Sequence, residues 1–290
     1  KPRAQQRMLR RTVPLVAAAL AAAMPLLPNQ NPQMAAWEDE IIKARVAIPD
    51  DPASNTTYNR AKMADAVSRK RAPGAEIVGY YSMSWSENGG SQGPVGADIG
   101  IAFSGWSEAY QALASGPYSE NLQGQKYLTI GGANVNGHLS VEILKKFHED
   151  IGYIKDAGFV GVCFDIEHTE REGLYIKAME EAFAACKKEG LKVLVTVSHS
   201  APIVSRAPSN IVKAWVNSDN IDYLSPQLYS TGKEKQPQFD ISKGVQWDLW
   251  KGAKPVIIPS IVDGSHWQKT QQFFNNHGIP IKGYLQWAEC

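Results

Sequence analysis

Gly158-Phe159-Val160-Gly161-Val162-Cys163-Phe164-Asp165-Ile166-Glu167-His168 is the segment around which this chain is organised, and it has the pattern of a short buried strand ending in carboxylates. Side chains along a strand alternate between its two faces. One face is therefore apolar, and the other runs from small residues to Asp165 and Glu167. Folding alone gives no reason to place two like charges on one face. Because the flanking residues are too apolar for an exposed strand, we favour a functional acidic pair over a charged strand end.

The overall composition is typical of a globular protein with a sizeable core. The chain has 290 residues, of which 43% are hydrophobic and 20% charged, enough for one large domain or two modest ones. Its net charge of +1 predicts no broad attraction to nucleic acid or to an anionic membrane. The three cysteines fit neither a disulfide framework nor a zinc site, and the usual nucleotide-binding motifs are absent. We therefore expect neither a metal nor a cofactor.

Residues 1–37 have the features of a targeting segment. A basic start without acidic residues is followed by an Ala- and Leu-rich run and a small-residue exit. The run contains two prolines and is too short to span a bilayer comfortably, so we expect no integral membrane segment in the mature chain. Arg10-Arg11 before the run resembles a twin-arginine signal. A secreted protein and a protein of an organelle lumen, such as the thylakoid lumen, both fit this segment.

Eight apolar runs follow and predict eight β-strands. They are mostly continuous, as expected of parallel strands covered on both faces. Helical stripes that end at Gly158 and Gly190 lie between strands. This alternation over about 215 residues predicts a (β/α)8 TIM barrel, whereas nothing marks the switch point of the rival doubly wound sheet. The predicted strands are Ile77–Met83, Ile99–Phe103, Tyr127–Gly131, Val160–Glu167, Val193–Ser198, Tyr223–Tyr229, Val256–Ile261 and Gly283–Trp287.

The expected organisation is a single barrel behind two N-terminal segments. The barrel spans residues 75–290, after the targeting segment and an extension at residues 38–74. The chain stops right after the eighth predicted strand, so no eighth helix follows. We expect either that the extension packs on or near the barrel, where that helix would lie, or that the C-terminus is truncated. Only about twenty residues separate the last two strands, which leaves no room for an inserted domain and predicts a shallow, open groove.

The active site of such a barrel lies at the C-terminal ends of its strands, which places Asp165 and Glu167 at the mouth. The other strand ends contribute aromatic and neutral polar side chains and no cationic clamp. Such a set suits a sugar better than a phosphorylated substrate. These residues are Tyr80, Tyr81, Phe103, Gly131, Gly132, Ser198, His199, Gln227, Tyr229 and Trp287.

At these positions the sequence resembles glycoside hydrolase family 18, in the style of its class III, hevamine-like chitinases. Phe164-Asp165-Ile166-Glu167-His168 is similar to the end of the family's DGxDxDxE strand. The order and spacing of shorter matches along the barrel strands extend the resemblance. They are Ile101-Ala102-Phe103 for the second strand, Thr129-Ile130-Gly131-Gly132 for the SxGG of the third, Pro226-Gln227-Leu228-Tyr229 for the QxY of the sixth and Gln286-Trp287 for the tryptophan of the eighth.

The resemblance implies an endo-acting hydrolase of β-1,4-linked N-acetylglucosamine, as in chitin or chito-oligosaccharides, with substrate-assisted retaining catalysis. It implies that Glu167 is the general acid and that Asp165 stabilises an oxazolinium ion formed by the sugar's own acetamido group. Tyr229 would donate a hydrogen bond to the acetamido carbonyl. The residues that it places at the substrate are Tyr80, Phe103, Gly132, Gln227 and Trp287.

Two positions depart from the family pattern, since Val160 and Cys163 stand where the family carries aspartates. Cys163 lies one pleat below Asp165, and a neutral thiol can neither repel that carboxylate nor share a proton with it as a carboxyl would. We therefore expect lower turnover and a changed pH profile. Two alternatives without catalysis stay open: a carbohydrate-binding lectin, or a structural subunit of a larger assembly with a vestigial site.

Overall fold

The computed structural model describes residues 71–85, 93–115 and 119–287. These residues form a closed barrel of parallel strands with helices on its outside, which confirms the predicted (β/α)8 fold. The predictions for the targeting segment 1–37, and for the packing of the extension up to residue 70, lie outside the described residues. None of the described helices is long and apolar enough to cross a membrane.

The barrel wall has eight positions, of which the seventh is divided. Strand β1 pairs with both β2 and β9, and β5 pairs with β6, so that the sheet closes. Strands β7 and β8 both pair with β6, and Pro259, which has no N–H to donate, lies between them. The strands are β1 Ile77–Met83, β2 Ile99–Phe103, β3 Gln125–Gly131, β4 Gly161–Asp165, β5 Lys192–Ser198, β6 Tyr223–Gln227, β7 Val256–Ile257, β8 Ser260–Ile261 and β9 Gly283–Gln286.

The outer layer consists of α-helices and short 3-10 turns. Residues 144–154, whose apolar stripe predicts one helix, form two short helices joined by the 3-10 turn Phe147–Glu149. Between β8 and β9 lie only a 3-10 turn and one helix, so the expected absence of an inserted domain holds for the fully described residues 262–282. The helices are α1 Ala109–Ser115, α2 Val141–Lys146, α3 Ile151–Asp156, α4 Glu172–Lys188, α5 Pro208–Asn217 and α6 Trp267–Asn276.

Strand β4 divides its side chains between two cores, as its alternating sequence predicts. Val162 and Phe164 belong to the core between the strands and the helices, while Cys163 belongs to the core inside the barrel. The Phe164 ring lies 5.1 Å from that of Phe147 and 4.9 Å from that of Phe183, both in edge-on contact. Burying one such ring stabilises the fold by about 1.5–3 kcal/mol. The outward residues thus fix the strand, and the inward ones are free to serve the mouth of the barrel.

Candidate active site

Asp165 and Glu167 lie side by side at the C-terminal end of β4, as predicted. Asp165 is the last residue of the strand, and the backbone stays tied to β5 beyond it, because the Ile166 N–H donates to the Thr196 carbonyl at 2.9 Å. Both carboxyl side chains face the barrel mouth and are hydrogen-bonded to each other. Each residue is only 3% exposed. Two carboxyls in such a place must share a proton or repel each other strongly.

The surroundings of the pair favour its protonated forms. Burial raises the pKa of both carboxyls, and the nearby Asp165 charge raises the pKa of Glu167 further. Hydrogen bonds from the Ser198 N–H to Glu167 Oε2 and from Gln227 Nε2 to Asp165 Oδ1, both 3.2 Å, act in the opposite direction. No Lys or Arg side chain of the described residues forms an ion pair with either group. A raised pKa is the property that lets a carboxyl act as an acid near neutral pH.

Gln227 is held in place by a polar layer inside the barrel. Its Nε2 also donates to Thr196 Oγ1 at 3.2 Å, and that hydroxyl donates to the Ser225 carbonyl at 3.0 Å. The Tyr81 hydroxyl shares a 2.9 Å hydrogen bond with Ser260 Oγ in the same layer. Because Gln227 is fixed from below, it fixes the orientation of the Asp165 carboxylate above it.

An aromatic wall stands beside the acidic pair. The rings of Tyr229 and Trp287 are stacked at 5.3 Å with an interplanar angle of 29°, and Phe103 meets Trp287 edge-on at 5.2 Å. Gly232, at φ +76°, lets its backbone lie against the Trp287 indole, where a Cβ would collide with the ring. The Tyr229 hydroxyl is buried and has no hydrogen-bond partner among the described residues. A half-buried indole and an unpartnered hydroxyl suit a ligand with an apolar face and a polar acceptor.

Gly132, directly after β3, lies beside Asp165 in a backbone conformation that favours glycine. Its φ of +144° is disfavoured for residues with a side chain, and an added Cβ would lie 3.8 Å from Asp165 Oδ2. The Gly132 N–H donates to the Asp165 carbonyl at 3.1 Å, which ties the two strand ends together. The structure thus brings Asp165, Glu167, Gly132 and the predicted residues of β2, β6 and β9 to one mouth.

Tyr80, a predicted substrate-binding residue, does not lie at this mouth. Its side chain belongs to the core outside the barrel, and its hydroxyl accepts a hydrogen bond from the Gln123 N–H at 2.9 Å. Adjacent strand residues point to opposite faces, so Tyr81 takes the inward position instead. Alternation along β1 separates two sets of residues, Gly79, Tyr81 and Met83 on one face and Val78 and Tyr80 on the other. Both sets are apolar, so the sequence does not show which face points into the barrel.

The two departures from the family pattern differ in position. Val160 precedes β4 at the N-terminal end of the barrel and is 45% exposed, about 16 Å of extended chain before Asp165. Cys163 is completely buried directly below Asp165, and both its burial and the Asp165 charge raise the pKa of its thiol. Position 160 therefore lies away from the site, whereas position 163 contributes a neutral thiol to its floor.

Comparisons with known proteins extend only to distant structural similarity. No protein-family model and no curated protein matches this chain. A chitinase from Chromobacterium violaceum ATCC 12472 is 13% identical with a TM-score of 0.38, and the match covers 64% of this chain and 68% of that one. A putative chitinase A from Streptomyces coelicolor is 14% identical with a TM-score of 0.38, over 56% of this chain and 61% of that one. Similarities at this distance do not indicate which reaction this chain catalyses.

Proposed function

We propose that this chain is an endo-acting glycoside hydrolase of β-1,4-linked N-acetylglucosamine, with the sugar's acetamido group as nucleophile. The observation that carries this proposal is the mouth of the barrel, where two buried, mutually hydrogen-bonded carboxyls stand beside an aromatic wall. No Lys or Arg among the described residues forms an ion pair with either carboxyl. A neutral sugar offers what this mouth can bind: apolar ring faces, hydroxyls and amides.

Glu167 acts as the general acid on the glycosidic oxygen. Burial and the neighbouring Asp165 charge keep its pKa raised, so that it carries its proton near neutrality. The Ser198 N–H at 3.2 Å from Oε2 then stabilises the carboxylate that forms when the proton leaves. The same carboxylate receives a proton from the attacking water in the second half of the reaction.

The contact between the two carboxyls favours a nucleophile supplied by the substrate. Retaining enzymes with a carboxylate nucleophile separate the two groups by about 5–5.5 Å, and inverting enzymes by about 6.5–9.5 Å. Asp165 and Glu167 instead interact through a side-chain hydrogen bond, which is a closer arrangement than either of these classes uses. The acetamido oxygen at C2 is the nucleophile that such a site can use, with Asp165 stabilising the cyclic cation that forms.

The aromatic wall supplies the remaining contacts of this sugar. The unpartnered Tyr229 hydroxyl donates to the acetamido carbonyl and aligns its oxygen for attack. Trp287, with Phe103 behind it, forms an apolar floor under the ring. The described residues 262–282 form no inserted domain between β8 and β9, and this part of the barrel is therefore compatible with a long chain bound across the mouth and cleaved internally.

The proposal is tested by incubating the native chain with chito-oligosaccharides and following the products by mass spectrometry. We expect cleavage by the native chain, loss of turnover with retained binding in Glu167→Gln, and unchanged cleavage in the control Glu172→Gln, which alters a carboxylate at the start of α4. Binding without turnover in the native chain would instead support a lectin. Neither binding nor turnover would support a structural subunit.

A further inference from the structure

His199, immediately after β5, has an unfavourable backbone conformation that its surroundings must maintain. Its φ is +51°, a region that residues with a Cβ rarely adopt, and the residue is 7% exposed. Lys243 is the other described non-glycine residue with positive φ, and it lies on an exposed surface turn. A buried outlier next to a catalytic group is the kind of strain that function maintains.

The His199 side chain ties the end of β5 to the loop after β6. Its Nδ1 lies 2.9 Å from Ser198 Oγ, and its Nε2 lies 3.4 Å from Gln238 Oε1. The amide oxygen can only accept, so Nε2 carries the hydrogen and Nδ1 accepts from the Ser198 hydroxyl. The Ser198 carbonyl in turn accepts from Ser242 Oγ at 3.3 Å. Ser198 is thereby held through both its hydroxyl and its carbonyl.

The groups around His199 and Glu167 decide how each side chain is charged. They favour the neutral form of His199, and one hydrogen-bond donor favours the charged form of Glu167. Burial lowers the pKa of His199, against the opposite effects of Gln238, Asp240 and Glu234. Glu167 faces Asp165 on its own strand, the Ser198 N–H on β5 and Tyr229 after β6. Of these, the Ser198 N–H favours the charged carboxylate.

We propose that His199 is a positioning residue for the general acid: it holds Ser198 so that the Ser198 N–H donates to Glu167 Oε2. This inference rests on the proposed role of Glu167. The donor stabilises the carboxylate that develops as the proton moves to the leaving group, so a displaced donor slows the chemical step. Without that donor Glu167 also keeps its proton to higher pH.

The first test compares His199→Gly with His199→Asn. Glycine adopts positive φ without strain but has no side chain, whereas asparagine tolerates the same φ and can place a polar atom near the Nδ1 position. For His199→Gly we expect kcat to fall by about tenfold, with KM little changed and the basic limb of the kcat–pH profile moved to higher pH. His199→Asn should recover most of kcat. The control His148→Ala, which alters an exposed histidine of the outer layer, should match the native chain.

The second test follows the carboxyl itself. Titrating ¹³C-labelled glutamate side chains by NMR, with Glu167→Gln to identify the signal, gives the pKa of Glu167 without any turnover. We expect that pKa to rise in His199→Gly and in Ser198→Ala, which removes the hydroxyl end of the tether. If both variants raise the pKa of Glu167 but the native chain does not hydrolyse the sugar, the proposed function is contradicted and the positioning role of His199 is supported. Native pKa values in both variants would overturn the inference.

Discussion

The two ends of the barrel hold their carboxyl groups in opposite ways. At the N-terminal end Asp222 receives Lys187 Nζ at 2.7 and 2.8 Å and the Val193 N–H at 2.7 Å. At the mouth Asp165 and Glu167 are far more buried, yet neither forms an ion pair with a described Lys or Arg. A carboxylate with a cation and a backbone donor stabilises the fold, whereas buried carboxyls without a cation reduce its stability and raise their own pKa. The first arrangement stabilises the fold, and the second fits the proposed catalytic role of the mouth.

Asp98 repeats the arrangement of Asp222 at the start of β2. Its Oδ2 accepts from the Val78 N–H at 2.8 Å and lies 2.9 Å from Arg71 Nη1. Each aspartate therefore lies just before a strand and binds that strand's N-terminal end to the backbone of the neighbouring strand. This agrees with the division of labour in such barrels, where the N-terminal end stabilises and the C-terminal end reacts.

Changing one aspartate at each end is the most direct way to break this comparison. In Asp165→Asn we expect kcat to fall by roughly 10²- to 10³-fold, because the charge that stabilises the cationic intermediate is lost. We expect the melting temperature to stay the same or rise, because the repulsion between Asp165 and Glu167 is relieved. In Asp222→Asn we expect unchanged kcat and a loss of about 1–2 kcal/mol in the free energy of unfolding, since the pair is only partly buried. Kinetics with chito-oligosaccharides and thermal melts measure both.

A large loss of kcat in Asp222→Asn, or a marked loss of stability in Asp165→Asn, would contradict the division between the two ends. The two variants make the same chemical change, so each is the matched control of the other.

The pH dependence of stability should sharpen the comparison. Folding raises the pKa of both mouth carboxyls, so above the ordinary carboxyl pKa the folded chain keeps protons that the unfolded chain has released. Their contribution to stability is therefore greatest at acidic pH and declines as pH rises toward the folded pKa values, by about 1.4 kcal/mol per pH unit for each such proton. We expect the double variant Asp165→Asn/Glu167→Gln to lack this decline and to be more stable than the native chain at neutral pH.

Urea unfolding of the native and double-variant chains between mildly acidic and neutral pH measures this difference. Asp222→Asn serves as the control and should keep the decline of the native chain. If the free energy of unfolding changes with pH in the same way for the native chain and the double variant, the mouth carboxyls do not titrate abnormally.

The wall of the barrel could be predicted from the sequence because burial on both faces leaves a direct signal. β1 and β2 have the predicted bounds, and the other predicted strands differ from the structure mainly at their ends. The division of the seventh strand at Pro259 was missed, since an apolar run does not show where hydrogen bonding stops. The stripe from Leu144 to Ile154 predicts one helix because two helices around a tight turn keep the same spacing of apolar residues.

The site could be predicted only where polarity marks a face. Asp165 and Gln227 are polar residues at the ends of largely apolar strands, and this contrast predicts their place in the site. Tyr80 and Tyr81 do not, because an inward and an outward tyrosine look alike when both faces are buried. His199 acts through the Ser198 backbone, and the donor that matters, an N–H, has no signature in the sequence. Tertiary contacts decide what a local pattern leaves open.

The smallest expected effect concerns Cys163, the neutral group below the acidic pair. In Cys163→Asp a new carboxyl would adjoin Asp165 and could share a proton with it through the catalytic cycle, so we expect kcat to rise several-fold and the pH profile to change. Stability should fall, because position 163 is completely buried. Cys163→Asn has the same shape without the charge and should leave both kinetic properties near those of the native chain. Equal rates and pH profiles for the Asp, Asn and native chains would show that the mouth works independently of the charge beneath it.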